Sequence, residues 1–120
     1  TPRAVFERDA SWMLEAEVVI AEVSTPSLGV GYEIASALKM GKPTLCLYRE
    51  GQEVSKMITG NTSALISLAP WSDMPAIDRH VDAFLDRFAR HTSDSPHPGQ
   101  DEGSAERNRG MCATPSGTCP

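Results

Sequence analysis

An apolar run rich in β-branched residues, Val18-Val19-Ile20-Ala21, passes within a few positions into Thr25-Pro26-Ser27 and then into a segment with helical spacing. That succession limits the chain more than any other stretch. A short run of this kind, closed by turn residues, predicts a strand over 18–23 buried on both faces, the pattern of a parallel sheet. Beyond the turn, Val30, Ile34, Ala37 and Leu38 recur at three and four and predict a helix to about Met40. Gly29 and Gly31 lie where strand gives way to helix and are expected to form a Gly-rich turn. Such a turn puts bare N–H groups and a positive dipole end at the sheet's carboxyl edge, where open α/β sheets bind ligands. Glu33 reads as a carboxylate in the first helical turn. There the dipole favours the ionised form, which a nucleophile needs. Spacing alone equally admits a plain dipole or capping residue. No third Gly follows at the spacing of a dinucleotide fingerprint.

Before the strand, residues 4–16 show helical spacing, with Val5, Phe6, Trp12, Met13 and Ala16 on one apolar stripe. Asp9 falls on that stripe, four after Val5 and three before Trp12. An acid on a buried helix face costs several kcal/mol unless it has partners, so Asp9 is a functional candidate on pattern alone. The other reading places it at the stripe's margin, in reach of water.

After the helix, Gly41 supplies a C-terminal stop and Pro43 confirms it. Thr44 to Tyr48 predicts a second buried strand, 49–52 a turn, and 54–60 one or two helical turns ended by Gly60. Ala64 to Leu68 reads as a third strand. From Asp73, a suitable N-cap, to Arg90 the pattern predicts an amphipathic helix with Ile77, Val81, Phe84, Leu85 and Phe88 on its inner face. Strand and helix alternate throughout, which indicates an α/β fold with a parallel sheet.

At 120 residues the chain suits one small domain. Its net charge of −5 and pI of about 5.1 weigh against binding nucleic acid through phosphates, which needs clustered Lys and Arg. No apolar run approaches the roughly 20 residues that span a bilayer, so no membrane partner is expected. The chain begins Thr1-Pro2-Arg3, without the apolar core of a signal peptide and without an initiator Met; further residues upstream are expected. Three cysteines make no disulfide framework. Cys46, in an apolar run, reads as a small buried hydrophobe, and a reducing compartment, cytoplasm or nucleus, is expected. From His91 the composition changes: residues 91–120 contain no Val, Ile, Leu, Phe, Tyr or Trp. Such a segment buries too little apolar surface to offset its ordering entropy, which predicts a disordered tail after a folded unit over 1–90. His97, Cys112 and Cys119 match no metal-site spacing, so no metal is expected.

VVIAEVSTPSLGVGYEIASAL, preceded by ERDASWM and followed by KPTLCLYR, resembles the 2′-deoxynucleoside 5′-phosphate N-hydrolases, of the nucleoside 2-deoxyribosyltransferase family. The similarity runs from about Phe6 to Tyr48 and more loosely to Arg90; the Ser-Leu-Gly-Val-Gly-Tyr-Glu run is its most specific part. The resemblance implies a Rossmann-like or flavodoxin-like open parallel sheet with flanking helices. It implies that Glu33 is the nucleophile, that Asp9 assists at base and sugar, and that Ser27, with the backbone at Gly29 and Gly31, holds the substrate's 5′-phosphate. Ser55 matches a second phosphate-binding Ser, which in the family comes from the neighbouring subunit of a homodimer. The implied reaction needs no organic cofactor.

Family members begin with an additional strand, a Gly-Ser-Ile-Arg-like loop and a site-lining Tyr, then a helix and a second strand. None of these is present here. The first of those strands lies beside 18–23 in the family fold, so its loss leaves an apolar edge unpaired, an aggregation hazard. The chain is therefore expected to be a fragment or truncated isoform, truncated at the N-terminus, with little or no activity alone. Two other readings stand beside hydrolysis: a deoxyribosyltransferase using the same glycosyl intermediate, and a catalytically inactive form that only dimerises.

Overall fold

In the computed structural model, which describes residues 1–88, the elements follow in the order α1 (Pro2–Glu15), β1 (Val19–Glu22), α2 (Leu28–Lys39), β2 (Thr44–Arg49), α3 (Lys56–Thr59), β3 (Ile66–Trp71) and α4 (Met74–Phe88). The three strands form one parallel sheet in the order β1-β2-β3. This is the open α/β arrangement expected from the alternation of strand and helix. The predicted tail over 91–120, with His97, Cys112 and Cys119, lies outside the described residues.

β2 is the central strand, and Thr44 to Leu47 are all buried, so both of its faces are covered. On one face Val23, Ile34, Cys46 and Val54 form a core with Val30 and Leu38 of α2 against it. On the other, Leu45, Leu47, Ala69 and Phe84 meet Ile77, Val81, Leu85 and Phe88 of α4. Each large side chain removed from water here contributes about 1.5–3 kcal/mol. The stripe predicted for the last helix is the one that packs, and Asp73 caps it: its Oδ1 accepts from Ala76 N at 2.8 Å.

Three boundaries and faces differ from expectation. β1 is not buried on both faces; its residues alternate between half-buried and exposed, with Ile20 42 % exposed, because it is an edge strand. Val19 N and Val23 N donate to Pro43 O and Leu47 O, so the odd-numbered residues face β2. Ile20 and Glu22 turn their backbone groups the other way, to the open edge. β3 lies later than 64–68, at 66–71, and runs through Pro70. The missing N–H of a proline is tolerated there because Trp71 O faces β2, accepting from Glu50 N, which turns Pro70 to the outer edge. The apolar stripe of α1 is not covered either: none of its residues is buried, and Phe6 and Trp12 are 56 % and 61 % exposed.

α2 ends as predicted. Gly41 takes φ +75°, its N–H donates to Leu38 O, and Lys42 N donates to Ala37 O, the paired bonds of a Schellman stop.

Candidate active site

The turn after β1 is closed by Ser27, not by glycine. Ser27 is the N-cap of α2, with extended backbone (φ −143°, ψ 125°) and its Oγ accepting from Val30 N at 3.3 Å. A side chain that satisfies an early helical N–H fixes the start of the helix at Leu28. Gly29 and Gly31 therefore sit inside the first turns of α2. The positive-φ glycines among the described residues are Gly41 and Gly51. Glu33 follows as the sixth residue of the helix, one turn later than expected, and the first turn holds no acid. The dipole acts mainly within one turn of the end, so it does less for Glu33 than the spacing implied.

Two cavities open on two faces of α2. One, of about 210 Å³, lies between α1 and α2 and is lined by Phe6, Asp9, Ala10 and Met13 from the first helix and by Gly29, Tyr32, Glu33, Ser36 and Met40 from the second. Asp9 and Glu33, 24 positions apart by their numbers, thus line the same space. Phe6 and Tyr32 meet edge to face across it, with centroids 6.2 Å apart. The other cavity, of about 430 Å³, is mostly apolar. Ser27, Gly31 and Ser55 line it together with Thr25 and Asn61. Among the residues expected in a phosphate site, Gly29 is the one that faces the two-carboxylate cavity instead.

Asp9 has the marginal position. Its side chain is 35 % exposed and its Oδ1 accepts from Arg8, Nε and Nη2 both at 2.9 Å. The Arg8 guanidinium also lies 4.7 Å from the centroid of the Trp12 ring. Because the stripe of α1 is uncovered, Asp9 meets water as well as Arg8 and does not bear the cost of an acid on a buried face. Glu33 is half-buried. Ser55 is exposed and caps the short helix α3, accepting from Met57 N at 3.3 Å.

Periodicity places Phe6 on the apolar stripe of α1 without marking it as a site residue, and it does not single out Tyr32, which directly precedes Glu33. Nor does it single out the cluster at the carboxyl ends of the strands. There Glu22 accepts from Ser24 N, Ser24 Oγ and Trp71 Nε1, Ser24 Oγ accepts from Arg49 N at 2.6 Å, and the Arg49 guanidinium stacks on Trp71 at 4.9 Å. Such residues end three different strands, and their meeting follows only from the parallel register.

Among the described residues, no group of three or more His, Cys, Asp or Glu could hold a metal ion. No helix there is long and apolar enough to cross a membrane.

No family model matches the chain. Individual relatives do. A 5-hydroxymethyl-dUMP N-hydrolase of Rattus norvegicus is 39 % identical over 100 residues, 78 % of this chain and 60 % of the relative. Two archaeal proteins provisionally named 2′-deoxynucleoside 5′-phosphate N-hydrolase 1 are also similar. That of Thermofilum pendens is 49 % identical over 71 % of this chain and 61 % of its own length. That of Methanococcoides burtonii is 48 % identical over 59 % and 58 %. The chain spans about three fifths of the length of these relatives. Over that stretch the chain is a homologue of the 2′-deoxynucleoside 5′-phosphate N-hydrolases.

Proposed function

We propose that this chain carries the catalytic carboxylates of an N-glycosidase that splits 2′-deoxynucleoside 5′-monophosphates into free base and 2-deoxyribose 5-phosphate. The observation that carries the reading is the cavity shared by Asp9 and Glu33, in a chain whose relatives are named as N-hydrolases. The Glu33 carboxylate attacks the anomeric carbon and the C–N bond breaks, its electron pair leaving with the base. Asp9 supplies or organises the proton the base takes up. Water then attacks the glycosyl-Glu33 ester, giving its hydroxyl to the sugar and returning a proton, the two-carboxylate scheme of retaining glycosidases.

The phosphate falls to the neighbouring cavity. Ser27, the N-terminal end of α2 with Gly31 in the wall, and Ser55 would receive it, while Gly29 stays on the side of the two-carboxylate cavity and Gly31 N donates to Ser27 O. Ser27 and Ser55 of one chain already line that cavity, so a single copy presents both hydroxyls. The homodimer in which Ser55 comes from the neighbouring copy rests on the family resemblance. A cytoplasmic or nuclear location accompanies the proposal.

Release of free base from a deoxynucleoside monophosphate, assayed on this chain and on a longer form with the family's N-terminal strand, tests the reading. Glu33→Gln should cost at least about a thousandfold in rate; undiminished turnover would sink it. Mixing Glu33→Gln with Ser55→Ala tests the dimer. If Ser55 acts across the interface, each mixed dimer regains one intact site; if it acts within its own chain, none does.

A further inference from the structure

We propose that Lys42 is a positioning residue that sets the placement of α1, and with it Asp9, against α2. This rests on the two-carboxylate reading for its effect on rate, but not for its effect on structure.

α1 has no buried side chain of its own to hold it. Its C-terminal end is held instead by one cation. Lys42 Nζ donates to three carbonyls there: Met13 O, Leu14 O at 2.8 Å and Ala16 O at 2.7 Å. These are the groups a helix leaves without intrahelical partners, at the negative end of its dipole. An ammonium with three donors matches them, and bonds to a charged donor are stronger than neutral ones. Among the described residues no carboxylate pairs with Lys42, so its charge is directed to the carbonyls alone.

The backbone of Lys42 is fixed independently of α1. Its N–H closes the end of α2 on Ala37 O, and its carbonyl accepts from Thr44 Oγ1 at 3.2 Å. Pro43, next along, accepts from Val19 N. One residue therefore links the last turn of α1, the end of α2 and the entry to β2. The cavity of Asp9 and Glu33 lies between the two helices so joined, with Met13 and Met40 at the clamped end. Releasing the clamp leaves α1 attached by Phe6 against Tyr32, the half-buried Met13 and the chain itself.

Hydrogen exchange and kinetics test this together. Lys42→Met keeps the stem and removes the donors; Lys42→Arg keeps charge and donors. In Lys42→Met the α1 amides should exchange about tenfold faster or more, while those of β2 and α4 change little. Lys42→Arg should restore most of the protection. In an active form, Lys42→Met should lower kcat with KM nearly unchanged, and Lys42→Arg should recover it. Unchanged α1 exchange would overturn the proposal. So would loss of the whole fold in Lys42→Met, which would make the clamp a support of the sheet. Faster α1 exchange with unchanged kcat would overturn the link to Asp9. If the unsubstituted protein releases no base, the hydrolase reading fails while the exchange result still stands.

Discussion

Gly29→Ala and Gly31→Ala should each stabilise the protein, although both glycines sit in the run most specific to the resemblance. Both lie within α2, where glycine is about 0.8–1 kcal/mol less favourable than alanine at an interior position. Neither has a positive φ. A methyl group at Gly31 would meet nothing within 4 Å, and one at Gly29 would lie 3.9 Å from Ser27 Oγ, an ordinary contact. Alanine also narrows the unfolded ensemble, so a gain of about 0.4–1 kcal/mol per site follows where no strain opposes it. Gly29, near the helix start, belongs at the lower end. For a domain of this size 1 kcal/mol moves Tm by about 4–8 °C. Thermal unfolding followed by circular dichroism should thus show Gly31→Ala melting about 3–6 °C higher. Gly60→Ala is the opposite control, because its new methyl would lie 2.9 Å from Lys56 O and should lower Tm. If these glycines serve close approach of a ligand's phosphate, the same alanines weaken binding of a deoxynucleoside monophosphate while raising Tm. A lower Tm for Gly31→Ala would refute the placement of that residue inside an unobstructed helix.

Phe84→Ala should cost about 3–5 kcal/mol, since the ring is 5 % exposed and packs on Phe88 with centroids 5.1 Å apart; urea unfolding should show a protein close to unfolded without denaturant. Burial pushes the Cys46 thiol up from the ordinary 9.0 to about 11. A folded-state value above the unfolded one means that stability is intact below about pH 9 and falls as pH rises toward 11. The urea midpoint should drop over that interval by more than it does in Cys46→Ala; equal slopes would count against it.

Reading the sequence by period succeeded where a single face decides burial. α4 shows this: its apolar stripe and its Asp73 cap were legible because one continuous stripe meets one sheet face. It failed where burial depends on what lies alongside. The run Val18–Ala21 has the composition of a covered strand, yet β1 has a neighbour on one side only. The stripe of α1 is apolar without being enclosed. The apolar run ends at Leu68, yet β3 continues to Trp71 through Pro70, which a position on the outer edge tolerates. Within the site, Glu33 and Asp9 could be named from type and setting. Its placement one turn deeper depended on Ser27 acting as the cap. The partner of Asp9 is its chain neighbour Arg8, which a search at three and four residues passes over.

The two margins of the sheet are unlike. Beyond β3, Pro70 offers no donor, so a strand arriving there would find the ladder interrupted. Beside β1, Ile20 and Glu22 present complete backbone pairs. Extension of this sheet, by a preceding segment of a longer polypeptide or by a foreign one, is therefore polar: it proceeds from the β1 flank and halts at the other.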